Sequence, residues 1–127
     1  MGFEKQIAHW RAGADEAFAG ADTLFRDKRN LYALFFCHLG VEKALKAMVM
    51  EKTGKMAPFS HDLVYLARLA GIEVPDKKGK SLTRINSFCM EGRYGEALPK
   101  APNREMTSIW MEESKNIRQW LEKKFEK

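Results

Sequence analysis

Polar and apolar residues alternate at three- and four-residue steps through most of the chain, the period that stacks side chains along one side of an α-helix. The longest such stretch without a proline runs from Leu31 to Glu51, where Leu31, Leu34, Phe35, His38, Val41, Glu42, Leu45, Met48 and Val49 share one stripe. A helix that buries only hydrocarbon has no use for His38 and Glu42 there, so this stretch predicts both the central helix and the functional one. Lys43 and Lys46 flank the stripe, and Glu42 precedes Lys46 by four residues, the favourable order for an ion pair along a helix. A first helix is predicted from Phe3 to Phe25, with Ile7, Trp10, Ala14, Ala17, Phe18, Ala21, Leu24 and Phe25 on its inner face. Its alanines permit a close neighbour. Arg26 to Asn30 is charged and has the length of a turn between antiparallel helices, so the first two helices should form a hairpin. Thr53-Gly54 closes the second, because glycine readily takes the left-handed conformation past a helix end.

Further along, Ser60 is placed to cap a third, short helix from His61 to Ala70. Glu73 to Lys80 reads as a polar loop, and Ser81 as the cap of a fourth helix that carries Leu82, Ile85, Phe88 and Cys89 and runs out at Gly92-Arg93-Tyr94-Gly95. Pro99 and Pro102 mark Glu96 to Pro102 as an irregular connection. The last helix begins near Asn103 or Arg104 and sets Met106, Ile109, Trp110, Glu113, Ile117, Trp120 and Leu121 on one side; Lys123, Lys124 and Lys127 at its end complement the helix dipole. No strand alternation, internal repeat or low-complexity tract interrupts this pattern. The expected fold is all-α, an up-and-down bundle of four main helices with a short fifth.

Composition narrows the class. A chain of 127 residues suits one domain over 1–127, and 45% hydrophobic with 31% charged residues is the balance of a soluble globular protein. No apolar run approaches the roughly 20 residues that span a bilayer. The acid at Glu4 and the lack of an apolar run argue against a secretory signal, and Gln6 stands where a myristoylation motif wants Ser or Thr. A cytoplasmic location is the resulting expectation. The formal charge of +5 favours anionic partners and equally suits a solvated surface. Cys37 and Cys89 stand far apart within apolar patterns, as small buried hydrophobes do in a reducing compartment.

Most standard chemistries are excluded. Gly79-Lys80-Ser81 resembles the end of a phosphate-binding loop, but Val74 occupies the first glycine position and no strand precedes it. H-E-x-x-H, paired-Cys, G-x-S-x-G and G-x-G-x-x-G motifs are all absent, so no metal ligand set or cofactor is expected. What remains is polar residues in three places: His38, Glu42, Lys43 and Lys46; Ser60, His61 and Asp62; and Arg93 with Tyr94.

These three pieces together resemble the HEPN family. His38-Leu39-Gly40-Val41-Glu42-Lys43-Ala44-Leu45-Lys46-Ala47 is similar to its signature, a polar residue and then Ala-x-Glu-Lys-x-Leu-Lys-Ala, Ser60-His61-Asp62-Leu63 to its Thr/Ser-His-Asp-Leu motif, and Arg93-Tyr94 to its Arg-Tyr-Pro, with Gly95 in place of the proline. The resemblance spans nearly the whole chain. It implies an all-α bundle that forms homodimers, is associated with nucleotide or RNA binding, and works beside a small nucleotidyltransferase in a two-component, toxin–antitoxin-like system. Many members are metal-independent ribonucleases that use an Arg-x(4-6)-His motif. Here the positions after Arg93 that would carry the His are Leu98, Pro99 and Lys100, and the histidines are His9, His38 and His61. The resemblance therefore points to binding without turnover, with a ribonuclease of rearranged site, or a purely interacting helical dimer, as the alternatives.

The expected ligand site is a cleft in which Lys43, Lys46, His61 and Arg93 meet phosphate and Tyr94 offers a stacking face, organised by His38, Glu42 and Asp62. Each residue also fits a structural role. His38 can be a hydrogen-bonded core histidine, Glu42 an ion-pair partner of Lys46 or Arg93, Asp62 a group that gains from the helix dipole, and Tyr94 a core plug.

Overall fold

The computed structural model describes residues 2–91 and 100–125. Arg93 and Tyr94 lie outside them. Five helices follow in order: α1 (Glu4–Arg26), α2 (Asn30–Thr53), α3 (Leu63–Leu69), α4 (Asp76–Asn86) and α5 (Arg104–Phe125). No strand occurs among the described residues. The all-α bundle expected from the periodicity is therefore the fold.

α2 is the axis of the bundle and packs against each of the other four helices. Its residues Ala33, Leu34, Cys37, Val41, Ala44, Leu45 and Met48 are wholly buried, as expected for a helix enclosed by neighbours. α1 runs antiparallel to it across a seam of small residues. A Cβ on Gly40 would stand 2.5 Å from Phe18 Cε2, and one on Gly20 would stand 2.9 Å from Phe36 Cδ2, so each glycine makes the slot for a ring on the other helix. Such interlocking fixes the register of the hairpin to a single position. Gly54, with φ of 67°, ends α2 in the left-handed conformation, and its N–H donates to Met50 O. α5 closes the bundle. Asn103 Oδ1 accepts from Met106 N at 2.8 Å to start it, and the Arg104 guanidinium lies 3.7 Å over the Phe25 ring at the far end of α1.

Three expectations need correction. The cap of α3 is Asp62, whose carboxylate accepts from Val64 N and Tyr65 N; Ser60 Oγ accepts from Asp62 N one step earlier. α4 begins at Asp76, five residues before Ser81, with Pro75 in the cap position and Asp76 at the positive end of the dipole, and it ends at Asn86, so Phe88 and Cys89 follow the helix instead of lying on it. Ser81 is instead an interior residue whose hydroxyl donates to Glu113 on α5 at 2.7 Å. Cys37 is fully buried and its thiol is pushed up to about 12 by desolvation, but Cys89 is only partly buried.

Candidate functional site

One buried carboxylate organises the polar residues at the middle of α2. Glu42 is 3% exposed, and burying its charge is costly unless both oxygens find donors. They do. Oε2 takes the Lys46 ammonium at 3.0 Å, one helical turn on, and Oε1 takes His61 Nδ1 at 3.0 Å, from the segment that leads into α3. Because a carboxylate only accepts, His61 Nδ1 carries the hydrogen of this contact, and Nε2 is left clear of Glu42. The side chain of His61 is 47% exposed, so this imidazole is fixed at one nitrogen and open to solvent around the rest of the ring.

His38 sits one turn before Glu42 and is wholly buried. Its Nε2–H donates to the His61 carbonyl at 2.9 Å, which pins the backbone of the α2–α3 connection to the core. Nδ1 then holds a lone pair that faces Glu42 Oε1 at 3.9 Å and has no hydrogen-bond partner. Burial lowers the pKa of His38 below its ordinary value of 6.5 and outweighs the opposing pull of Glu42, so the ring is neutral.

Lys46 is 5% exposed, with its ammonium 5.3 Å from the centroid of Trp10 on α1. A lysine buried to this degree, paired with Glu42 and covered by an indole, is fixed in place and its charge is already balanced. Lys43 goes elsewhere. Its stem crosses α1 at Gly13, where a Cβ would stand 3.0 Å from Lys43 Cδ, and it has no hydrogen bond or ion pair with the cluster. Asp62 does not join either. Besides capping α3, its Oδ1 accepts from Asn86 Nδ2 at 2.9 Å, while Asn86 Oδ1 accepts from Leu63 N at 2.9 Å, so this pair ties the start of α3 to the end of α4.

Of the expected site residues, the structure thus brings together His38, Glu42, Lys46 and His61, and sets Lys43 and Asp62 apart. Arg93 and Tyr94 lie outside the described residues. Trp10 and Asn86 were not expected. Trp10 supplies an aromatic face beside Lys46, and Asn86 holds the backbone that follows His61. Both come from other helices and are joined by packing, which no local motif encodes. Among the described residues no group of three or more His, Cys, Asp or Glu is placed to hold a metal ion, and no helix is long and apolar enough to cross a membrane.

The fold and the cluster define a class: a small helical bundle whose central helix carries a buried Glu–Lys pair that holds a histidine of the next segment at the surface. The chain belongs to the HEPN domain family, whose model matches residues 7–124, nearly the full chain. No curated protein matches the sequence, and no solved structure matches the fold.

Proposed function

We propose that this chain is a nucleotide- or RNA-binding module that binds without turnover and works, as a homodimer in the cytoplasm, with a small nucleotidyltransferase in a two-component, toxin–antitoxin-like system. Family membership supports the nucleotide-related part of this reading. The observation that carries it is the His61 imidazole, anchored through Nδ1 on a buried carboxylate and half open to solvent. A side chain held in one orientation loses little entropy when it meets a ligand, which is the advantage of a preorganised contact. The binding face includes the partly buried ring of Trp10, which a base can contact. Lys46 supports this face from beneath by neutralising Glu42. Arg93 and Tyr94 complete the site in this reading, as hydrogen-bond donor to the phosphate and stacking ring.

Binding of AMP and of a short single-stranded RNA, measured by calorimetry, tests the proposal. His61→Ala should weaken binding about tenfold, the size of one lost charge-assisted or well-placed hydrogen bond, and should also lower the melting temperature, because Glu42 Oε1 loses its donor, while the fold is kept. Equal affinity in a folded His61→Ala variant removes this site from the account.

A second reading has its own observation. Glu42 on His61 Nδ1 leaves Nε2 as a base, the arrangement in which a carboxylate orients a catalytic imidazole. In this reading His61 takes the proton of a ribose hydroxyl and the chain is a ribonuclease of rearranged site. RNA turnover abolished by His61→Gln would favour it; binding without cleavage favours the first.

A further inference from the structure

Among the described residues four glycines lie inside helices, and three are explained by what they touch. A Cβ at Gly13, Gly20 or Gly40 would stand 3.0 Å or less from a side chain of the facing helix. Gly79 is different. It lies within α4, its N–H donates to Pro75 O at 2.9 Å as in any helix, and a Cβ there would meet only Val74 Cγ1, at an ordinary 3.9 Å. Neither backbone conformation nor packing calls for glycine, yet its presence in a helix costs about 1 kcal/mol relative to alanine.

What Gly79 faces is an open groove of about 570 Å³ between α3, α4 and the segment that joins them. The floor is Ala67 and Leu82, both almost fully buried, and Ile72 and Val74 form a wall. This groove lies within the roughly 300–1,000 Å³ of small-molecule sites and has their composition, an apolar base with few polar groups. At the rim stand two cations, Arg68 from α3 and Lys80 from α4, both exposed and neither hydrogen-bonded nor ion-paired among the described residues. The Thr83 hydroxyl is turned back onto Gly79 O at 3.0 Å, and the one rim acid, Asp76, occupies the first turn of α4, where the helix dipole favours a carboxylate.

The geometry points to this groove as a binding site for a small organic anion with an apolar body. The body lies in the slot that the missing side chain of Gly79 keeps open, and a carboxylate, phosphate or sulfonate group meets Arg68 and Lys80. A guanidinium with an ammonium favours such a group through charge-assisted hydrogen bonds. The glycine then gives up helix stability to keep the slot clear, a trade expected at binding sites rather than in cores. The site is independent of the His61 cluster and does not rest on the function proposed above.

Two fluorescent probes with one carbon frame test the inference: 8-anilinonaphthalene-1-sulfonate, which is anionic, and N-phenyl-1-naphthylamine, which is neutral. The full chain should bind the sulfonate saturably at one site. Arg68→Ala with Lys80→Ala should weaken the sulfonate about tenfold and leave the neutral probe unchanged. Gly79→Leu should block both. Gly79→Ala should weaken both while raising the melting temperature by about 2–5 °C, a split that a merely structural glycine would not give. Wild-type affinity for both probes in Gly79→Ala overturns the site, and this milder variant decides the matter if Gly79→Leu does not fold. Equal loss of both probes in the Arg68/Lys80 variant overturns the anion preference. Failure of the wild-type chain to bind either probe, as expected if the groove takes only a protein segment, overturns the inference altogether.

Discussion

Two sets of charges hold this bundle together, and they have little in common beyond their residue types. Midway along α2, the Glu42–Lys46 pair and the neutral His38 beside it are nearly or fully buried. Along the seam of α1 and α5, Arg118 reaches Asp15 at 2.9 Å and Glu122 at 3.2 Å, and Lys115 reaches Asp22 at 2.7 Å, with side-chain exposures between 12% and 76%. Most of the outer set is open to water, where a pair contributes little, and Arg118 is its one sheltered member. The inner set is costly to desolvate, and hydrocarbon of the same shape would serve stability as well or better. What the inner set provides that hydrocarbon cannot is a fixed imidazole at the surface. On the function proposed above, the inner set serves binding and the outer one only adhesion.

The sharpest way to break this contrast is to remove one partner of the inner pair. Glu42→Ala leaves the Lys46 charge buried without an acid and should destabilise the bundle by about 3–5 kcal/mol in urea unfolding. Replacing both groups, as Glu42→Leu with Lys46→Met, should recover most of that loss while His61 loses its anchor and ligand binding falls. A double variant as unstable as Glu42→Ala would mean that the pair itself carries stability.

Acid sharpens the contrast next. The depressed pKa of His38 means that the unfolded chain binds a proton that the folded one refuses, so stability is full above 6.5, the ordinary histidine value, and is lost as pH falls below it. The loss approaches about 1.4 kcal/mol per pH unit below that point until the folded-state value is reached. His38→Gln should flatten this part of the curve, which thermal melts between pH 5 and pH 8, a range around the ordinary value of roughly 6.5, can follow.

Smaller again is the outer set. Desolvation alone would raise the Glu122 carboxyl, but the Arg11 hydrogen bond and the charges of Arg118 and Arg11 together hold it below its usual value. Glu122→Gln should still cost no more than about 1 kcal/mol, and moderate salt should erase most of the difference. Comparing its melting temperature with that of the wild type in low and in high salt checks this.

The contrast also explains what could be read from the sequence. The hairpin of α1 and α2, the end of α2 at Gly54 and the pairing of Glu42 with Lys46 follow from spacing along one chain segment. The early start of α4 was hidden because Asp76-Lys77-Lys78-Gly79-Lys80 is polar and contains glycine, which reads as a loop; Pro75 followed by an acid was the available signal. Ser60 and Asp62 are both competent caps, and only the backbone path decides between them. Lys43 and Lys46 look alike on a helical wheel, yet Gly13 draws one across α1 while Glu42 keeps the other. That division depends on the register between α1 and α2, which is set by Phe18 over Gly40 and by Phe36 over Gly20.

The most direct test of the central claim follows the side-chain nitrogens of the histidines by NMR while AMP or a short RNA is added to the wild-type chain. Saturable shifts at His61 Nε2, with Nδ1 still protonated and His38 unmoved, are the predicted result. Ligand binding that leaves His61 unchanged would contradict it.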